Sequence, residues 1–380
     1  MNIAIFSDSF YPGVGGTERA TFGLAEALAK KGHSVAVCCP SYYKKEPDNY
    51  IFSVFRAKSL KLTKNDFFAF PALSPKFKKL LKSFKPDVIH CQSVSPMTAY
   101  AIKYAKKHNI PVMGTVHTKF KTAFENSIKS KAIVNMLIKN LVSKLNKMDE
   151  VCVVCNDMVR ELHEYGYKKD ATVIRNGATF ENNLNYNKEL CFKEFNLKNE
   201  DNIFLYVGYI VKYKNLQFIL DSLKIVKEKI SNFKMVFVGG GLDLDYFKNI
   251  VNKSDLKDNI IFTGQITNKE LLYSLYNSAD LFLFPSIFDN DPLVVVEAAS
   301  CHLPAVTLEN TGASERILAD ISGYTTENNT KSYANKIIEI LSDKEKLKEV
   351  GNNAFRMIPK TWAQTSEEYL NIYEKIRKSH

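Results

Sequence analysis

Asn2-Ile3-Ala4-Ile5-Phe6-Ser7, Gly13-Val14-Gly15-Gly16-Thr17-Glu18 and Ser34-Val35-Ala36-Val37-Cys38-Cys39 follow one another at the start of the chain. An apolar run, a glycine-rich turn, an amphipathic stretch over Thr17–Lys31 and a second apolar run are the parts of a strand–helix–strand unit. The alternation continues outward. Strands are expected at Asn2–Ser7, Ser34–Cys39, Asp87–His90, Val112–Val116 and Glu150–Val154, with helices at Thr17–Lys31, Met97–His108 and Lys131–Lys147. A second series of strands is expected at Ile203–Val207, Met235–Val238, Ile260–Phe262, Leu281–Phe284 and Ala305–Thr307. Between the series, Glu181 to Asn202 is polar and holds seven Asn, which reads as a linker. The expectation is an α/β chain of two doubly wound, Rossmann-like parallel-sheet domains, residues 1–180 and 181–359. The tail after Pro359, with Trp362 and a helix over Ser366–Lys378, would pack back on the first domain. Ligands of such sheets sit at the carboxyl ends of the strands, so the site is expected in a cleft that the two sheets face.

Composition narrows the class. The 380 residues are 45% hydrophobic, enough for two cores, and no apolar run approaches the ~20 residues of a membrane span. Met1 to Asp8 has neither a basic leader nor a long apolar segment, and seven irregularly spaced cysteines suit free thiols, so a cytoplasmic protein is expected. Charge is uneven. Residues 1–150 carry 24 Lys and Arg against 10 Asp and Glu, a net of +14, while residues 151–380 carry a net of −3. Lysines interleaved with apolar residues in Phe77–Lys82 and Lys131–Lys147 suit peripheral contact with an anionic membrane, at its inner face; a plainly solvated face would read the same way. Nucleic-acid-reading motifs are lacking, so no nucleic-acid partner is expected.

Three loops carry candidate chemistry. Gly15 and Gly16 follow the first strand and open a helix, where backbone N–H groups and the helix dipole favour a phosphate; a structural turn would look alike. The second strand ends Val37-Cys38-Cys39-Pro40 without the carboxylate that a dinucleotide ribose needs, which argues against NAD. Gly208-Tyr209-Ile210-Val211-Lys212-Tyr213-Lys214-Asn215 follows a strand of the second domain and offers lysines to a diphosphate. Asp289-Asn290-Asp291-Pro292-Leu293 then leads into a helix bearing Glu297, and fixed carboxylates suit vicinal hydroxyls. Asp289-Asn290-Asp291 also has the spacing of a divalent-metal pair, but the metal-free reading fits two Rossmann-like halves better. Cys152-Val153-Val154-Cys155 has redox spacing and reads as buried strand, and His33 and His90 read as structural.

The ordered set resembles a family-4, group 1 glycosyltransferase of the GT-B architecture. The resemblance lies in Gly15-Gly16-Thr17-Glu18 with Leu24–His33, Val116-His117-Thr118, Arg175-Asn176-Gly177, Gly208–Asn215, Gly239-Gly240-Gly241, and Asp289 with Glu297 eight positions on. It implies a retaining, metal-independent hexosyltransferase without a covalent protein intermediate. The nucleotide-sugar is a substrate and no cofactor is implied; UDP-glucose is the default donor, and a cell-envelope glycan or lipid-linked hydroxyl the acceptor. By position, His117, Lys214 and Asp289 would be catalytic, and Gly15, Gly16, Tyr209, Lys214, Asp289, Pro292, Leu293 and Glu297 would bind the donor. Lys214 would neutralise the departing diphosphate, His117 and Asp289 would meet the sugar, and Glu297 the ribose. Two positions depart from the pattern. Tyr209 stands where most relatives have Arg, with Lys212 a candidate replacement, and Asp289 stands for Glu. A catalytically silent adaptor or chaperone of a partner transferase, or a nucleotide-sugar epimerase, would carry the same letters.

Overall fold

The computed structural model describes residues 1–11, 15–41, 49–61, 67–178 and 186–380, so Gly13 and Val14 of the first loop lie outside the described residues, as does Glu181 to Asn185 of the expected linker. The chain divides into two compact units, Met1–Thr179 with Lys360–His380, and Phe180–Pro359. In the first unit the strands are β1 (Asn2–Phe6), β2 (Ser34–Pro40), β3 (Ser53–Ala57), β4 (Ser59–Lys61), β5 (Phe67–Ala69), β6 (Val88–Cys91), β7 (Val112–Val116), β8 (Glu150–Val153) and β9 (Thr172–Val173). Seven of them form one sheet in the order β3-β2-β1-β6-β7-β8-β9, while β4 and β5 make a small antiparallel pair. Every pairing in the large sheet is parallel, with Ile5 opposite both Val37 and His90. Strands covered on both faces need apolar side chains at successive positions, which is why β1 and β7 are buried without alternation.

The second unit repeats the plan. Its strands β10 (Asn202–Val207), β11 (Phe233–Val238), β12 (Ile260–Gly264), β13 (Leu281–Phe284), β14 (Ala305–Leu308) and β15 (Tyr324–Thr326) form a parallel sheet in the order β12-β11-β10-β13-β14-β15. In each sheet the strand order reverses at one place, between β1 and β6 and between β10 and β13. Such a switch point opens a crevice beyond the strand ends, where the connecting loops diverge. Both doubly wound sheets are therefore of the expected class, one Rossmann-like sheet in each unit.

Two local readings change. The expected linker contains a helix, Lys188–Glu194, because the Asn187 side chain caps it by accepting from Leu190 N at 3.0 Å and Cys191 is fully buried. Short strands β3, β9 and β15 were not expected, because each mixes in residues such as Ser53, Arg56 and Thr172 that leave the apolar run incomplete. The C-terminal helix Trp362–Lys378 belongs to the first unit, where the buried Trp362 indole lies against Gly23 and Lys31 pairs with Glu367 at 2.7 Å. Among the described residues, no helix is long and apolar enough to cross a membrane.

Candidate active site

At the second sheet's switch point the loops after β10 and β13 are tied together. Asn215 adopts a left-handed conformation (φ 64°), which Asn tolerates, and its Nδ2 donates to Pro285 O at 3.1 Å. Ile210, fully buried, anchors the loop after β10 and donates its N–H to Gly240 O at 2.9 Å. Gly239, at φ 138°, lets that neighbour approach, since a Cβ there would lie 1.9 Å from Gly208 O. These constraints bring Lys214 to Asp289, Nζ to Oδ1 at 2.5 Å, with side chains 16% and 21% exposed. The other carboxylate oxygen, Asp289 Oδ2, is buried with no hydrogen-bond partner among the described residues. Burial pushes the Tyr206 and Tyr213 phenols up, and the nearby Asp289 carboxylate adds to both shifts. The loop after β10 also exposes Tyr209, whose carbonyl accepts from Tyr206 Oη at 3.1 Å. Lys212 is turned elsewhere: its ammonium lies 4.0 Å from the centre of the Tyr246 ring.

The segment after Asp289 is clamped from below. Arg316 grips Asp291 with two parallel bonds, Nε to Oδ1 at 2.5 Å and Nη2 to Oδ2 at 2.7 Å, and both side chains are almost wholly buried. Both oxygens of Asp291 are thus engaged by a guanidinium, which suits a brace better than a metal ligand. Gly312 permits the close approach, because a Cβ there would meet Asn290 O at 2.2 Å. Pro292 caps the helix Leu293–Ser300 and has no N–H of its own, so the donors begin at Leu293. One turn on, Glu297 Oε2 accepts from the buried Tyr276 hydroxyl at 3.1 Å.

The first unit holds the remaining candidates. Gly15 is the N-cap of the helix Gly16–Lys30, and the Glu18 carboxylate folds back over it, 2.4 Å from where a Gly15 Cβ would stand. His117 follows β7 and its Nε2 meets Gln92 Oε1 at 2.6 Å. Gln92, Tyr276 and Arg316 were not singled out from sequence. Gln92 had a signal, a polar residue directly after an apolar strand, whereas Tyr276 and Arg316 reach partners 21 and 25 residues away with no local mark. Cys152 is buried on β8, as a strand reading requires, and Cys155 is buried beyond the strand as the N-cap of the helix Asn156–Glu164.

A model of the glycosyl transferases group 1 matches residues 187–357, and a model of glycosyltransferase family 4 matches residues 14–181. The chain belongs to the group 1 glycosyltransferases. This glycosyltransferase is 28% identical over 326 residues to the alpha-monoglucosyldiacylglycerol synthase of Streptococcus pneumoniae, a match spanning 82% of this chain and 71% of that protein. Its fold is shared with a sucrose-phosphate synthase from Thermosynechococcus elongatus (TM-score 0.80, 19% identity, 100% and 99% of the two chains). HepE from Anabaena, solved in complex with UDP, shares it too (TM-score 0.77, 16% identity, 99% and 100% of the chains).

Proposed function

We propose that this glycosyltransferase moves a hexose from a nucleoside-diphosphate sugar to a hydroxyl of a cell-envelope glycan or lipid-linked acceptor, with retention and without a metal. The observation that carries the reading is the Lys214–Asp289 pair at the switch point, with Asp289 Oδ2 buried and unpartnered among the described residues. A fixed cation at the strand ends neutralises the charge that grows on a departing diphosphate, and a carboxylate oxygen accepts a hydrogen bond from a sugar hydroxyl. Leu293 opens a helix whose N-terminus favours the same anion, and Glu297, which accepts from Tyr276, is assigned to the ribose hydroxyls. With Asp291 committed to Arg316, Lys214 is the charge that stands in for a metal. Asp289 Oδ1 is paired with Lys214, and the reading takes no covalent intermediate on a protein carboxylate. The bond from C1 to the diphosphate breaks with its electrons leaving on oxygen, the acceptor oxygen bonds C1 from the same face, and the acceptor proton passes to the leaving phosphate. The family resemblance assigns Gly15 and Gly16 to the diphosphate and His117 to the sugar, and Tyr209 to a single hydrogen bond without a charge.

The default donor is UDP-glucose, in keeping with the UDP bound by the HepE neighbour. A lipid-linked acceptor at the inner face of the membrane is favoured by the name of the streptococcal relative, a glucosyldiacylglycerol synthase. The first unit also exposes Ile133 and Met136 on the lysine-bearing helix Lys131–Leu145. The test is turnover of radiolabelled UDP-glucose with EDTA and anionic vesicles containing diacylglycerol, with the anomeric configuration of the product read by NMR. Transfer to lipid that is lost in folded Lys214→Ala and Glu297→Ala is expected. Retained turnover in either variant would place the site elsewhere. Conversion of donor without an attached acceptor would point to an epimerase, and an inert purified chain to an adaptor.

A further inference from the structure

Behind His117 lies a polar network inside the first unit. Gln92 follows β6, is 2% exposed, and donates its backbone N–H to Phe6 O at 2.8 Å. Its side-chain Oε1 faces His117 Nε2 at 2.6 Å, while its Nε2 lies 3.4 and 3.2 Å from Nδ1 and Nε2 of His90. His90 is fully buried on β6, with Nδ1 2.7 Å from Tyr373 Oη and Nε2 2.8 Å from Thr115 Oγ1. Thr115 Oγ1 in turn lies 3.1 Å from Tyr369 Oη. Tyr369 and Tyr373 are one turn apart on the helix Trp362–Lys378, so that helix supplies two hydroxyls to the carboxyl edge of the first sheet.

The protons can be placed. Burial, with the His117 charge adding, lowers the His90 pKa to about 3, so its imidazole is neutral and offers one donor and one acceptor. Those two roles are taken up by Tyr373 and Thr115. The Gln92 amide nitrogen, almost equidistant from both ring nitrogens, therefore packs against the imidazole as a group. An aromatic face attracts N–H and repels a carbonyl oxygen, which fixes the amide with its oxygen toward His117. An amide oxygen only accepts, so the proton of a neutral His117 must sit on Nε2.

We propose that Gln92 is a positioning residue that holds His117 in its Nε2–H tautomer, and that Tyr373 of the C-terminal helix braces Gln92 through His90. The kinetic consequence rests on the reading of His117 as a sugar contact; the tautomer does not. The test uses the full chain labelled with 15N-histidine, with the His117 ring signals assigned by their loss in His117→Ala and read at a pH above 7. Wild type is expected to show protonated Nε2 and unprotonated Nδ1, and Gln92→Leu a mixture of tautomers. Steady-state kinetics are run beside it, with thermal melts to show that each variant is folded. Gln92→Leu lowers kcat by about tenfold with a smaller change in donor KM, and the double variant Gln92→Leu/His117→Ala is no slower than His117→Ala alone. Tyr373→Phe, which keeps the ring, lowers kcat by a smaller factor. An unchanged Nε2–H tautomer in Gln92→Leu, or losses that multiply in the double variant, would overturn the proposal. Full turnover in His117→Ala would instead remove the sugar contact and leave the tautomer result to decide Gln92.

Discussion

The two sheets share a plan and differ at the place where the plan opens. Beyond β10 and β13 the second domain sets a cation against a carboxylate, Lys214 and Asp289, and holds the next carboxylate, Asp291, with Arg316. Beyond β6 and β7 the first domain joins His117, Gln92, His90, Thr115 and two tyrosines by hydrogen bonds, with the His90 imidazole kept neutral by burial. Even the acid near that edge is damped: burial raises the Asp8 pKa against the opposing pull of Ser93, the Met97 N–H and Lys144. The topology thus supplies a crevice twice, and the residues of the loops decide what each can hold. Charge suits a site where charge develops on a leaving group. A hydrogen-bonded set of groups with a defined tautomer suits one that must orient hydroxyls.

The largest effect that would break this contrast is expected at Arg316. Arg316→Met takes the buried guanidinium away from the Asp291 carboxylate, costing about 3–5 kcal/mol, whereas Arg316→Met with Asp291→Leu returns most of it. Urea unfolding of the second-domain transition reads both. A mild loss in the single variant would mean that the pair does not brace the loop. Next comes Lys214→Ala, for which a drop in kcat of about 10²–10³ is expected in steady-state assays, the size of losing one preorganised charge-stabilising group.

The neutral side makes its own prediction through pH. His90 has a folded pKa of about 3, below the unfolded value of about 6.5. Its contribution to stability is whole above pH 6.5 and is lost as pH falls toward 3, because the unfolded chain then binds the extra proton. The slope is about 1.4 kcal/mol per pH unit over that window. Fluorescence of Trp362, the one tryptophan and buried in the first unit, reports it, and His90→Gln should flatten the profile. The smallest effect sharpens the charged side: Tyr209→Arg adds a guanidinium at a half-exposed position, worth up to about 1 kcal/mol, and should lower the donor KM up to about fivefold.

Much of the fold was readable because parallel strands are continuous apolar runs: Val112–Val116 and Leu281–Phe284 coincide with β7 and β13. Edge strands such as β3 and β15 were not, since they satisfy the sheet with mixed residues. The helix Lys188–Glu194 was hidden by the asparagines that flank it, one of which turned out to cap it. Lys214 and Asp289 could be picked out because each follows a strand end, and the structure brings them together across 75 residues. Lys212, the candidate for the missing guanidinium, could not be placed from sequence, because its orientation depends on Tyr246 from the helix Leu244–Asn252. Gln92, Tyr276 and Arg316 act on groups distant in sequence, and only the packed structure pairs them.

The central claim is a nucleoside-diphosphate site at the charged switch point. Thermal melting with UDP, GDP, ADP and dTDP in EDTA tests it directly, since a ligand at about 100 times its Kd adds about 2.7 kcal/mol to the folded state. One nucleotide is predicted to raise the melting temperature of the wild type, and the shift to disappear in Lys214→Ala and Glu297→Ala. No shift with any of the four in folded protein, or an equal shift in both variants, would contradict it.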